Sequence, residues 1–182
     1  MDTIKFQLNA RRQPYGQGAD LSLLNESVGN EVLVFHQKFP DYRVTPLRKL
    51  EFLSQRLGLG SIHIKDEAQR FGLNAFKGLG GSYAMGKYLA ALLERDINTL
   101  SFAELNSPVI KARIKDIVFV TATDGNHGRG VAWAAEQLGL RAVVYMPKGS
   151  SPVRAQNIRR HGAECTITEL NYDDTVRLAA KT

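Results

Sequence analysis

Ile117-Val118-Phe119-Val120-Thr121-Ala122-Thr123-Asp124-Gly125-Asn126-His127-Gly128-Arg129-Gly130 runs an apolar segment straight into a turn and the opening of a helix. Its first four residues are β-branched or aromatic and predict a strand. Asp124-Gly125-Asn126 is turn chemistry, and Val131, Ala134, Ala135 and Leu138 then recur at helical spacing until Gly139 stops them. Downstream the pattern repeats. Ala142 to Met146 predicts a second strand, Ser151-Pro152 opens a helix that Gly162 ends, and Cys165 to Leu170 predicts a third strand. A last helix from Asp173 is expected to turn Val176, Ala179 and Ala180 inward. Strands alternating with helices across short turns predict an α/β fold, an open parallel sheet covered by helices. Its connections are right-handed, and its ligand crevice lies beyond the carboxyl ends of the strands. The Asp124 turn occupies such a position.

Upstream the signals are weaker. Thr45-Pro46-Leu47 leads into an expected helix with Leu50, Leu53 and Leu57 on one face and Gly58 as its stop, and Ile62 to Lys65 alternates as a strand. Gly80 to Glu94 predicts a helix with Ala84, Tyr88, Ala91 and Leu92 on one face. Ser101 and Glu104 suit a capping box for a short helix ended by Pro108. The first forty residues resemble an arm that wraps another domain or subunit. Within it Gln13 to Gly18 is turn-rich, and Val32 to His36 fits a short strand or a helical turn.

With 182 residues, 43% of them hydrophobic, the chain has material for one domain or two small ones. Met1 to Ala10 lacks the apolar region of a signal peptide, and no apolar run approaches the roughly 20 residues needed to cross a bilayer. A soluble, cytoplasmic protein is expected. The single cysteine, Cys165, excludes an intrachain disulfide and reads as a buried strand thiol. The net charge of +6 is scattered, with clusters at Arg154, Arg159 and Arg160 and at Lys111, Arg113 and Lys115. Neither cluster is interleaved with aromatics, so both are expected to be solvated surface and no nucleic-acid partner is expected.

Two stretches carry chemistry. Asn74-Ala75-Phe76-Lys77-Gly78-Leu79-Gly80-Gly81-Ser82-Tyr83 sets one lysine between an aromatic residue and a glycine-rich turn. A free lysine, with a pKa of about 10.4, is a charged surface group, whereas desolvation or capture as an imine frees its nitrogen for proton exchange. Spacing alone leaves both readings open. Thr123 to His127 offers consecutive amides at a helix N-terminus, suited to a small anion such as a carboxylate, and equally suits a plain turn and helix cap. His127 has no partner at metal-ligand spacing, so no metal site is expected. Gly128 and Gly130 are expected to let the helix approach the sheet. They do not form the dinucleotide fingerprint GxGxxG.

Asn74-Ala75-Phe76-Lys77 before glycines, the Thr123 to Gly130 run after a strand, Met146-Pro147, and Arg159-Arg160-His161-Gly162-Ala163-Glu164 together resemble the fold-type II (tryptophan synthase beta-like) pyridoxal-phosphate enzymes. That family includes serine and threonine dehydratases, serine racemase and threonine synthase. Within it, Lys65-Asp66-Glu67, Arg70 to Lys77 and Thr121 to Gly130 look like the ammonia-lyases of 2,3-diaminopropionate. The resemblance implies pyridoxal 5′-phosphate as cofactor, Lys77 as its Schiff-base lysine, Phe76 beside it, and Asn126 on its ring hydroxyl. It implies that Thr123, Asp124, Gly125, Asn126 and His127 form the substrate-carboxylate site. Asp124 stands where most of the family carries a serine or another small polar residue. As a base on the face opposite Lys77, it would extend elimination of ammonia to both D- and L-2,3-diaminopropionate, giving pyruvate and ammonia. The runner-up is a serine or threonine dehydratase, against which Asp124 counts. From another class, a truncated non-catalytic fragment or binding module would keep the fold without the chemistry. The resemblance further implies a small amino-acid substrate, a homodimer, and a division into residues 1–79, an arm with part of the large cofactor domain carrying Lys77, and residues 80–182, a small α/β domain with three strands. A phosphate-cradling glycine loop, a partner for the pyridine nitrogen, a further carboxylate and a fourth strand do not occur before Thr182, so the fold-type II architecture is expected to be incomplete, an N-terminal portion.

Overall fold

The computed structural model describes residues 9–14, 17, 20, 22 and 24–182. Met1 to Leu8 lie outside the described residues, as do Tyr15, Gly16 and Gly18 of the turn-rich stretch. The architecture is the expected open parallel sheet. Strands β3 (Val118–Ala122), β4 (Arg141–Met146) and β5 (Glu164–Ile167) stand in the order β3-β4-β5, all parallel, with Val118 opposite Arg141 and Val143 opposite Glu164. In β4 the alternate residues Ala142, Val144 and Met146 are buried, the period of two that a covered sheet demands. Helices α6 (Asn126–Leu138) and α7 (Pro152–Arg159) follow β3 and β4 and pack on each other. Right-handed crossovers place both on one face. Helix α8 (Tyr172–Ala179) turns back across β4 and β3, which puts it on the other. Gly139 ends α6 in the left-handed conformation, as its position implies. Cys165 is a buried free thiol whose pKa burial pushes up.

Two helices present a face other than the one the apolar spacing predicts. Helix α3 (Lys77–Leu92) buries Gly78, Gly81, Ser82, Met85, Gly86, Leu89 and Ala90, while Ala84, Tyr88, Ala91 and Leu92 point outward. The cause is backbone proximity. A Cβ on Gly81 would lie 3.6 Å from the Gly130 carbonyl carbon, so α3 and α6 meet through glycines, which carry no hydrophobic signal. The apolar outer face still has neighbours, because Ala84 and Tyr88 line a groove of about 510 Å³ with Ile117 and, on β3, Phe119. In α8 the buried residue is Thr175, while Val176 is exposed. Thr175 goes inward because its hydroxyl is satisfied, donating to the Asn171 carbonyl at 2.7 Å and sharing a hydrogen bond with Thr168 at 3.2 Å.

The N-terminal part differs more. Val32 to His36 belongs to a full helix, α1 (Glu26–Gln37), capped by Asn25, whose side chain accepts the Val28 amide. The expected helix after Pro46 begins instead with a strand, β1 (Leu47–Lys49), antiparallel to β2 (His63–Lys65), and helix α2 covers only Glu51–Arg56. Leu53 and Leu57 face outward. Pairing between residues 47 and 65 is nonlocal, so the leucine spacing could not report it. Ser101 and Glu104 do form the capping box of α4 (Phe102–Leu105), and Pro108 opens the next helix, α5 (Pro108–Ile114). Phe35, Phe39, Phe71 and Trp133 form the aromatic centre of the core, with Phe71 stacked on Trp133 at 4.4 Å.

Candidate active site

The segment before Lys77 is held in an unusual backbone conformation. Phe71, Gly72 and Asn74 have φ of 50°, 67° and 53°, a region that raises the energy of a residue with a Cβ by roughly 1–2 kcal/mol. Three sets of contacts offset this. Phe71 stacks on Trp133. Arg129 of α6 donates to the Leu73 carbonyl at 3.0 Å and to that of Gly72 at 3.4 Å. Arg70, almost wholly buried, pairs with Glu67 through Nε to Oε2 at 2.7 Å and Nη2 to Oε1 at 3.0 Å, and also donates to Thr45 Oγ1 and the Arg43 carbonyl. The Arg70 hydrogen bonds hold the Glu67 carboxyl below the usual carboxylate range. The chain then enters α3 with Phe76 as N-cap and Lys77 as first residue, and the Lys77 ammonium sits 4.8 Å from the centre of the Phe76 ring.

Helix α6 fixes that lysine from behind. A Cβ on Gly130 would lie 2.8 Å from both the carbonyl carbon and oxygen of Lys77, so only a glycine permits this approach. Gly128, by contrast, does face the sheet, where a Cβ would stand 2.8 Å from Val144 Cγ1. The expectation for both glycines thus holds for Gly128, whereas Gly130 serves the lysine helix.

The turn after β3 has its own supports. Thr123 is buried, and its Oγ1 accepts the amides of Gly125 at 3.0 Å and Gly128 at 3.2 Å. Gly125, also buried, caps α6, and the first-turn amides of Asn126 and His127 have no carbonyl partner within the helix. The His127 ring turns back to Thr121 Oγ1 at 3.2 Å, and burial, then the charge of Lys77, pushes its pKa down.

Lys77, Thr123, Asp124, Asn126 and His127 line one cleft of about 580 Å³ at the carboxyl end of β3, together with Ala122, Arg154 and Tyr172. Of the other residues expected at a site, Phe76 lies beside the Lys77 amine and Gly125 is buried behind the turn. Arg154 and Tyr172 were missed from sequence. Arg154 belongs to the cluster expected to be solvated, and it is exposed, but its Nη1 also donates to the Asp124 carbonyl at 3.0 Å. A usable signal existed, because α7 and α8 start just beyond the carboxyl ends of β4 and β5, so their first turns border the same crevice as the Asp124 turn.

A parallel α/β sheet with a lysine facing the first strand turn defines a class. Residues 38–182 match the model of the pyridoxal-phosphate dependent enzymes, and the chain belongs to that family. Its relatives are more particular. Over 178 residues it is 76% identical to the diaminopropionate ammonia-lyase of Salmonella typhimurium, an overlap of 98% of this chain and 44% of that protein. The crystal structure of Escherichia coli diaminopropionate ammonia-lyase in complex with D-serine is similar at a TM-score of 0.82 and 50% identity, covering 88% of this chain and 40% of that one. The same enzyme in complex with an aminoacrylate-PLP azomethine reaction intermediate gives 0.79 and 49%, covering 88% and 39%. The chain thus spans less than half the length of these relatives. Its cleft fits the reactive end of the family's cofactor on two counts. A lysine amine borders it beside an aromatic ring, and across from it the first-turn amides of Asn126 and His127 have no carbonyl partner within α6.

Proposed function

We propose that this protein eliminates ammonia from 2,3-diaminopropionate, D and L, to give pyruvate and ammonia, with pyridoxal 5′-phosphate as cofactor. The observation that carries the reading is the meeting of Lys77 and Asp124 in one cleft from separate elements, α3 and the β3 turn. The likeness to diaminopropionate ammonia-lyases supports it. When bound, the cofactor supplies an electron sink for the α-carbon. The chain supplies the rest. Lys77 Nζ holds the cofactor and takes the α-proton of one enantiomer, and an Asp124 carboxylate oxygen takes that of the other from the opposite face. Asn126 hydrogen-bonds the ring hydroxyl, and Phe76 packs beside the cofactor. The free amides of Asn126 and His127 orient the substrate carboxylate beside Thr123 and Gly125. The β-amino group leaves as ammonia, and water releases the second ammonia with pyruvate. Residues 1–79 belong on this reading to a larger cofactor domain, and residues 80–182 to a small domain. The protein works as a cytoplasmic homodimer on a small amino-acid substrate.

Borohydride reduction followed by peptide mass mapping should place the trapped adduct at Lys77, and Lys77→Ala should abolish it. Asp124→Asn should lower kcat on the D substrate about a hundredfold or more, the usual worth of a positioned base, while sparing the L substrate. Equal loss on both enantiomers would remove the two-face assignment.

A further inference from the structure

The peptide unit joining Asp124 to Gly125 is gripped by side chains at both ends. Its N–H donates to Thr123 Oγ1 at 3.0 Å, and its carbonyl accepts from Arg154 Nη1 at 3.0 Å. Arg154 lies across the turn at a point where a Cβ on Gly125 would be 3.0 Å from its Cδ and 3.5 Å from its Nε, so the glycine makes room for the guanidinium. A peptide next to glycine is also the one most free to flip. With the carbonyl released, a flip would exchange the two directions, giving up the N–H bond to Thr123 Oγ1 together with the Arg154 contact and loosening the turn that carries Asp124 and the amides of Asn126 and His127.

We propose that Arg154 is a positioning residue that locks the Asp124–Gly125 peptide with its carbonyl toward α7, and so keeps the Asp124 carboxylate and the neighbouring amides presented to the cleft shared with Lys77. The inference rests on the two-face reading of Lys77 and Asp124. Arg154 does no chemistry itself and acts through Asp124, so its loss weighs on the enantiomer that Asp124 deprotonates.

The test uses Arg154→Met and Arg154→Lys in the full-length protein, with the near-ultraviolet signal of Trp133 reporting that each is folded. In the cofactor-free form, hydrogen exchange across residues 121–130 should quicken about tenfold at Gly125, whose amide is bonded to Thr123, in Arg154→Met, the worth of one charge-assisted hydrogen bond, and less in Arg154→Lys. In the loaded enzyme, the D-over-L ratio of kcat/KM should fall about tenfold in Arg154→Met, chiefly through kcat, and recover in part with lysine. Unchanged exchange in a folded Arg154→Met overturns the proposal, and so does faster exchange with an unchanged D-over-L ratio. A rise in KM shared by both enantiomers with kcat retained also overturns it, because Arg154 would then bind substrate directly. Should Asp124→Asn itself fail to separate the enantiomers, the two-face reading falls, and the exchange measurement alone decides whether Arg154 locks the turn.

Discussion

The loop that ends at Lys77 and the turn that carries Asp124 border one cleft and are held in different ways. The lysine loop adopts left-handed backbone at Phe71, Gly72 and Asn74 and is kept there from outside, by the Trp133 ring, by Arg129 and by the buried Arg70–Glu67 pair. The Asp124 turn is held by hydrogen bonds from two side chains, Thr123 within it and Arg154 of α7. The contrast teaches where each group gets its placement. Lys77 is placed by the packing of α3 on α6, so damage to that interface should reach the amine. Asp124 is placed by hydrogen bonds, so damage there should leave the amine alone.

The largest expected effect is at Gly130. In Gly130→Ala the new methyl would lie 2.8 Å from the Lys77 carbonyl carbon and oxygen, and backbone cannot yield as a flexible side chain does. We expect a loss of about 3 kcal/mol or more in stability, at the upper end for overpacking, together with loss of the trapped adduct at Lys77. Gly81→Ala is the control within the same interface. Its Cβ would meet the Val131 nitrogen at 3.5 Å, an ordinary contact, and should change stability by less than about 1 kcal/mol. Denaturant unfolding of the two variants checks both values, and equal effects would show that α6 does not place the lysine.

Next comes Glu67→Gln, which leaves the buried Arg70 without its carboxylate. A loss of about 2–3 kcal/mol is expected, somewhat less than for outright removal of a buried partner because the amide keeps some hydrogen bonds. The pH dependence has a fixed sign. The Glu67 carboxyl is held below its unfolded value near 4.5, so its contribution is complete above that pH and is lost as pH falls through the lower folded value. The stability gap between wild type and Glu67→Gln should therefore be constant at neutral pH and close only below about pH 4.5. A gap that closed near pH 6 would point to a histidine.

How much of this was legible depends on whether the signal was local. The three parallel strands and α6 could be read, because apolar runs and the stop at Gly139 lie within single elements. The face of α3 was legible only in part, because Met85, Leu89 and Ala90 share it with three glycines and Ser82, which hydrophobic spacing does not count. The inward turn of Thr175 depends on a hydrogen bond to Thr168, and β1 exists through pairing with β2 some sixteen residues on. Within the site, Lys77 and the Asp124 turn stood out as motifs. Arg154 and Arg129 did not, because a cation that grips a carbonyl looks in sequence like any surface cation.

A smaller effect is expected for Arg129→Met, which removes the donors to the Leu73 and Gly72 carbonyls while keeping much of the stem. About 1–2 kcal/mol should be lost, and Arg129→Lys should recover part of it by reaching one carbonyl. The D-over-L ratio should not move, since this contact serves the lysine loop. A shift in that ratio would mean that the two supports are coupled.

The smallest effect tests the strain itself. Asn74 has φ of 53°, where asparagine is the best tolerated residue after glycine. Asn74→Gly should relieve some backbone strain but add freedom to the unfolded chain, and the two terms oppose each other at roughly 1 kcal/mol apiece. Stability should therefore change by less than about 0.5 kcal/mol. Asn74→Ala has no such offset and should lose about 1 kcal/mol, because a Cβ in this region is penalised without the local hydrogen bonding that asparagine offers. The sign of the difference between the two substitutions is the informative quantity. Glycine less stable than alanine would mean that residue 74 is not held left-handed in solution, and the lysine loop would then be a relaxed turn like the one that carries Asp124.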